Sequence, residues 1–187
     1  MTALETVLGL QLPEEVRTLY MLNDGEVDSW FIGGVICGFT MLSLDQIAST
    51  WQELQEHSAE GHTELDNFWT QVITPEGAIQ PQEYHPAWIP LFTDSNGNYI
   101  GLDIAPGEAG QVGQLINFGL DEYDRIVIAN STTEFIAFIN EQFANGNAEQ
   151  AIFQGEDGTA LMFGLTLESH LTDDIRNMRY GDEAQEK

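Results

Sequence analysis

Positive charge is nearly missing from this sequence. Five bases (Arg17, Arg125, Arg176, Arg179 and Lys187) stand against 31 Asp and Glu in 187 residues, a net charge of −26. Binding nucleic acid or an anionic lipid surface relies on Lys and Arg neutralising phosphate, so neither is an expected partner. Cysteine is also scarce: Cys37 alone cannot form an internal disulfide, which fits a reducing compartment, with the cytoplasm as the default location. No run approaches 18 uncharged apolar residues, and Met1–Gly9 lacks a basic start followed by a long apolar stretch. Neither a transmembrane helix nor a signal peptide is therefore expected. Internal repeats and flexible linkers are absent too.

What is present is enough apolar material to fold. Hydrophobic residues make up 42% of the chain and aromatic ones 10%, with Trp30, Trp51, Trp69 and Trp88 along the first half. The length is that of one domain. A surface this acidic attracts a basic partner and accelerates the encounter. The same charge also serves solubility or salt tolerance, as in halophilic proteins, and by itself does not separate the two uses.

Periodicity predicts a helix over about Pro13–Leu22, with Glu14 and Glu15 at its positive end and Leu12, Val16, Leu19 and Tyr20 on one face. Asn23-Asp24-Gly25 ends it, and Val35–Phe39 reads as a buried strand. Ser43 and Gln46 form a capping box for a second helix, whose Leu44, Ile47, Trp51 and Leu54 face inward. Glu53, Glu56, Glu60 and Glu64 line its opposite side. Residues 61–87, punctuated by Pro75, Gly77, Pro81 and Pro86, read as an irregular loop or insertion. Strands follow at Trp88–Phe92 and Tyr99–Ile104, joined by an Asn-Gly hairpin turn, and at Gln114–Phe118 and Arg125–Ala129. A second capping box, Ser131 and Glu134, opens a helix closed by Asn145-Gly146. The order is that of an α+β domain spanning residues 1–146, followed by a C-terminal extension over 147–187 with one apolar segment, Ala160–Leu165, and an acidic tail.

Chemistry is hard to place on this pattern. Cys37 lies among apolar residues with no nearby base. His57, His62 and Glu64 are the only local cluster with metal-ligand character, and the spacing of the two histidines puts them on different helical faces. The Asp94–Ile100 run lacks the glycine and glutamate positions of a calcium loop. Gly107, Gly110 and Gly113 precede a strand instead of a helix, so they make no phosphate cradle. No catalytic residue, cofactor or metal is expected. The remaining features are for binding: the glutamate stripe, and a shallow polar and aromatic groove formed by Tyr99, Gly101 and Asp103 with Trp88, Asp94 and Asn96. Strand alternation sends Ile100, Leu102 and Ile104 to the opposite, buried face.

Five landmarks in register between residues 12 and 143 resemble the Smi/Knr cell-wall-regulator-like family of the SUKH superfamily. They are Leu12-Pro13 with Tyr20–Gly25; Gly38 with Leu42–Ile47; Trp88–Leu91; Asp94–Asp103 followed by Gly113–Ile116; and Ala129–Ser131 before Glu134–Ile139. The resemblance implies a central, largely antiparallel sheet with helices packed around it. It also implies protein binding without catalysis, with no catalytic residues to transfer. Bacterial relatives are often immunity proteins that neutralise toxins, many of them nucleases, and fungal relatives regulate cell-wall glucan synthesis.

The leading expectation is an immunity-type module that occludes a basic cognate toxin by mimicking its substrate's charge. The alternative is a regulatory scaffold for cell-wall assembly. A carboxylate-based hydrolase is the third reading, and a buried acid with a raised pKa is its signature. The oligomeric state is not set by the sequence.

Overall fold

A computed structural model describes residues 1–26, 34–59, 72–148, 153–154, 161–162, 164–166 and 170–181. Its elements are α1 (Thr2–Leu8), α2 (Glu14–Leu22), β1 (Thr40–Met41), α3 (Leu44–Ala59), β2 (Ile73–Thr74), β3 (Trp88–Thr93), β4 (Asn98–Asp103), β5 (Gln114–Gly119), β6 (Arg125–Ala129), α4 (Thr132–Ala144), β7 (Phe153–Gln154), β8 (Leu161–Met162) and α5 (Leu171–Tyr180). Six strands form one sheet in the order β1-β3-β4-β5-β6-β2, and only the β2–β6 pair is parallel. Strands β7 and β8 pair separately. The fold is α+β, as the element order implies.

The helix signals act as their chemistry requires. Ser43 and Gln46 exchange backbone-to-side-chain bonds in both directions, at 2.8 and 3.2 Å. Asp24, from the turn that ends α2, caps α3 as well, accepting from the Leu44 N–H. At α4, Ser131 Oγ accepts from Glu134 N, but the Glu134 carboxylate reaches Asn130 instead of closing the box. Glu15 on α2 accepts from the N–H groups of Thr132 and Thr133, placing a carboxylate on the positive end of α4.

One face of the sheet carries the main core. Ile89, Phe92, Ile100, Leu102, Leu115, Ile126 and Ile128 meet Leu4 and Leu8 of α1, Val16 and Tyr20 of α2, Ile47 of α3 and Phe135 and Ile139 of α4. Leu171 and Ile175 of α5 lie in this same cluster, so part of the C-terminal extension packs with the rest of the chain. That helix was not foreseen, although Leu171, Ile175 and Met178 recur in it at helical spacing.

The other face holds a second cluster: Trp88, Ile116, Phe118 and Val127 from the strands, Leu54 from α3, and Ala78 and Ile79 from the segment leading to β3. Residues 75–87 therefore roof the sheet, where an open groove was expected. The roof sits close. A Cβ on Gly107 would lie 2.1 Å from Gly77 O, and one on Gly110 would lie 2.1 Å from Ala78 O. This close backbone approach is what the glycine spacing serves.

The Val35–Phe39 strand is a correction. Cys37 and Gly38 have φ of 50° and 94°, and the chain doubles back so that Gly38 N bonds Gly34 O and Phe39 N bonds Ile36 O. Only Thr40–Met41 joins the sheet, as an edge strand.

Candidate functional site

The turns β3–β4 and β5–β6 come together at one end of the sheet. Asp94 shapes the first: its Oδ1 accepts from the N–H groups of Asn96 and Asn98, and its Oδ2 accepts from Asn98 Nδ2. Asn98 Oδ1 in turn accepts from Asp121 N. In the second turn, Asn117 donates to the Glu122 carboxylate and to Asp124 O, and accepts from Ile126 N. The start of α5 joins both turns. The His170 ring nitrogens lie 3.6 Å from Asp94 Oδ2 and 3.9 Å from Glu122 Oε1, and Thr172 donates to Glu122 at 3.0 Å. Burial raises the Glu122 pKa, against the pull of Asn117, Thr172 and His170. The His170 ring also rests on Phe39, with centroids 4.9 Å apart.

The residues expected to form a site divide between surface and interior. Glu53 and Glu56 are exposed on α3, Asn96 is exposed at the hairpin tip, and Tyr99 is half-buried beside them. Tyr99 stacks on Phe118 at 5.6 Å. Burial raises its hydroxyl pKa, and the charges of Glu53 and Asp94 add to the rise, so α3 and the hairpin share one surface. Glu60 and Glu64 lie outside the described residues, as do His62 and the side chain of His57.

Three of the expected surface residues are corrected to the interior. Trp88 is 1% exposed beneath the roof. The Asp94 side chain is 6% exposed and committed to its turn. Asp103 is 0% exposed. Its Oδ1 accepts from Ala105 N and its Oδ2 from Gln114 Nε2, while Gln114 also donates to Ala78 O in the roof. Burial lifts the Asp103 pKa to about 6, although those bonds, and the nearby Trp88 indole, favour the charged form. The indole Nε1 itself closes no regular hydrogen bond. This carboxyl group carries the raised pKa expected of a hydrolase acid, but it is shielded from solvent.

Arg125 is the residue that sequence reasoning missed. It is 1% exposed, lies over the Trp88 ring at 5.7 Å, and donates to Glu83 O and Glu122 O. It ties the roof to the β5–β6 turn. Desolvation lowers its pKa to about 10. An arginine opening an apolar strand in a chain with so few bases was the available signal.

The other described bases are also engaged. Arg17 pairs with Glu5, Arg176 with Asp124 and Asp173, and Arg179 with Glu134. Glu53 and Glu56 of α3 and Asp121 of the β5–β6 turn take part in none of these pairs. Cys37 is buried, and desolvation pushes its thiol pKa up to about 11, as suits a small packing residue. Among the described residues, no three His, Cys, Asp or Glu side chains converge as a metal-ligand set. No helix among them is long and apolar enough to cross a membrane.

The model of the SMI1 / KNR4 family (SUKH-1) matches residues 1–137 of this chain. The chain belongs to the SMI1/KNR4 family. Among curated SMI1/KNR4 relatives, the "Cell wall biosynthesis/cell cycle regulator smi1" of Schizosaccharomyces pombe is 32% identical over 169 residues, covering 87% of this chain and 33% of the relative. The "Cell wall assembly regulator SMI1" of Saccharomyces cerevisiae is 31% identical, covering 78% of this chain and 35% of its own length. The "Glucan synthesis regulatory protein" of Neurospora crassa is 28% identical over 76% of this chain. The chain spans about a third of the length of these relatives. They are named as regulators, not as enzymes. The family match ends at residue 137, so α5 lies beyond it, while its partners Glu122, Asp124 and Glu134 lie within it.

Proposed function

We propose that this chain is a non-catalytic, protein-binding domain of the kind that regulates cell-wall assembly. The family match over residues 1–137, with relatives named as regulators of cell-wall assembly and glucan synthesis, is the observation that carries this reading. Nothing in those names favours toxin neutralisation, so the regulatory alternative replaces the immunity expectation. The burial of Asp103, the acid best suited by pKa to hydrolysis, supports a role without turnover. Partners meet the surface of α3 and the β3–β4 turn, where Glu53, Glu56, Asn96 and Tyr99 are accessible.

A domain exchange tests this. The matched third of the Saccharomyces cerevisiae regulator is replaced by this chain in an otherwise intact protein, and wall glucan content is measured. The expected result is wall glucan near the parental level, well above that of a strain lacking the regulator. A chimera that is folded and abundant yet behaves like the deletion strain rejects the proposal.

A further inference from the structure

We infer that the end of the sheet at Leu120 and Tyr99 is the docking surface for a basic polypeptide segment that carries an aliphatic or aromatic anchor. The inference rests on the protein-binding reading above and assigns that reading a place and a partner chemistry.

Leu120 is the apolar element of this surface. It follows β5 directly, and its N–H bonds Gly97 O in the neighbouring turn. Its side chain lies on Gly97: a Cβ there would sit 2.8 Å from Leu120 Cδ1 and 3.3 Å from Cγ. Any larger residue at position 97 would push the leucine off, and Gly97 also has a φ of 94°. Leu120 is thus seated, yet it stays 63% exposed. Just inside it lie Tyr99, half-buried, and Phe118, fully buried and stacked on Tyr99. The second core cluster therefore runs out toward solvent at this end, because the roof reaches across Trp88 and Ile116 but leaves Leu120 uncovered. A held aliphatic side chain beside a half-open aromatic ring is a preorganised seat for one apolar side chain.

The charge part concerns what surrounds that seat. Glu53 is close enough to the Tyr99 hydroxyl to raise its pKa. Asp121 is exposed next to Leu120; its backbone N–H bonds Asn98 Oδ1 and its carbonyl accepts from Tyr123 N. The described arginines are paired with other acids or buried, so none neutralises this rim. An apolar seat inside an acidic rim selects a segment with Lys or Arg flanking a Leu, Ile or Phe. A second copy of this chain does not fit, since its own net charge is −26.

Any basic peptide sticks weakly to so acidic a protein, so the test reads the coupling between anchor and seat. The full chain is titrated with a labelled Lys/Gly peptide containing one central Leu, and with the same peptide containing Ala instead. Anisotropy is recorded at about 0.05 and about 0.3 M salt. The Leu peptide is expected to bind about tenfold more tightly than the Ala peptide to the native chain. Leu120→Ser abolishes that preference and leaves Ala-peptide binding unchanged, whereas Met178→Ser, at a site 56% exposed on α5, preserves it. Asp121→Asn weakens both peptides and flattens the salt dependence. Equal binding of the two peptides by the native chain, or a preference that survives Leu120→Ser, overturns the inference. Failure here with a successful domain exchange would show that the regulatory reading stands and that its partner docks elsewhere.

Discussion

On one face of the sheet, Ile89, Phe92, Ile100 and Leu102 meet side chains from regular helices; on the other, Trp88, Ile116 and Phe118 meet Leu54 of α3 and an irregular segment. Helices satisfy their own backbone, so they cover a sheet with apolar side chains alone. A loop has no such internal ladder. Its carbonyls take donors from elsewhere: Gln114 for the buried Ala78 O, Arg125 for Glu83 O and, at the exposed edge, Trp51 for Pro86 O. The roofed face is thus held by a few directional contacts and the helical face by many weak ones. This distinction explains why polar strand residues that read as surface turned out to be interior ties.

Truncating the helical face should have the largest effect. Phe92→Ala, which removes a buried ring stacked on Phe135 at 5.4 Å, is expected to cost about 3–5 kcal/mol by urea unfolding. It should weaken both faces together, because the unfolding is global. Arg125→Met is expected to cost about 2–4 kcal/mol, by leaving Glu83 O and Glu122 O without their donors. Its signature is local: hydrogen exchange at the Ala78 N–H in the roof, and at the Trp88 N–H that bonds His85 O, accelerates more than at Ile100 or Leu102. Uniform acceleration would remove the distinction between the faces.

Asp103 sharpens the comparison through pH. Its folded pKa, about 6, lies above the ordinary value of 3.8, so between those values the folded state holds the proton more firmly than the unfolded chain. The resulting stability is fully present below about pH 4 and is lost as pH rises through about 6. Asp103→Asn does not titrate, so its stability relative to the native chain should rise by on the order of 2–3 kcal/mol from pH 4 to pH 7. A flat difference across that window means that Asp103 is not desolvated in solution. The smallest effect is expected at an end-cap outside both faces: Ser131→Ala should cost about 1 kcal/mol, by freeing the Glu134 N–H at the start of α4.

The scarcity of bases has a structural counterpart inside the protein. Several of its acids are satisfied by backbone N–H groups instead of cations: Asp24 at α3, Glu15 at α4, Glu26 at Met41, Asp94 in its hairpin and Asp103 at Ala105. A high acid count in the sequence therefore overstates how much of that charge is offered to partners. Glu53, Glu56 and Asp121 remain exposed, while Asp94 and Asp103 do not.

Local chemistry was enough to place the α3 and α4 caps, the Asn-Gly hairpin and the inward face of β4, because each depends on contacts within a few residues. The family resemblance was legible for the same reason, in short motifs with fixed order. The segment 72–87 carries no periodicity, and what it covers depends on residues up to 42 positions away, such as Arg125 for Glu83. Helix α5 is short and mostly polar, and its docking depends on turns 50 positions earlier, such as Glu122 for Thr172. Which acids are surface and which are ties, and where Leu120 finds its seat on Gly97, were settled by tertiary structure alone, since burial is a property of what comes to lie across a residue and not of the residue or its neighbours in sequence.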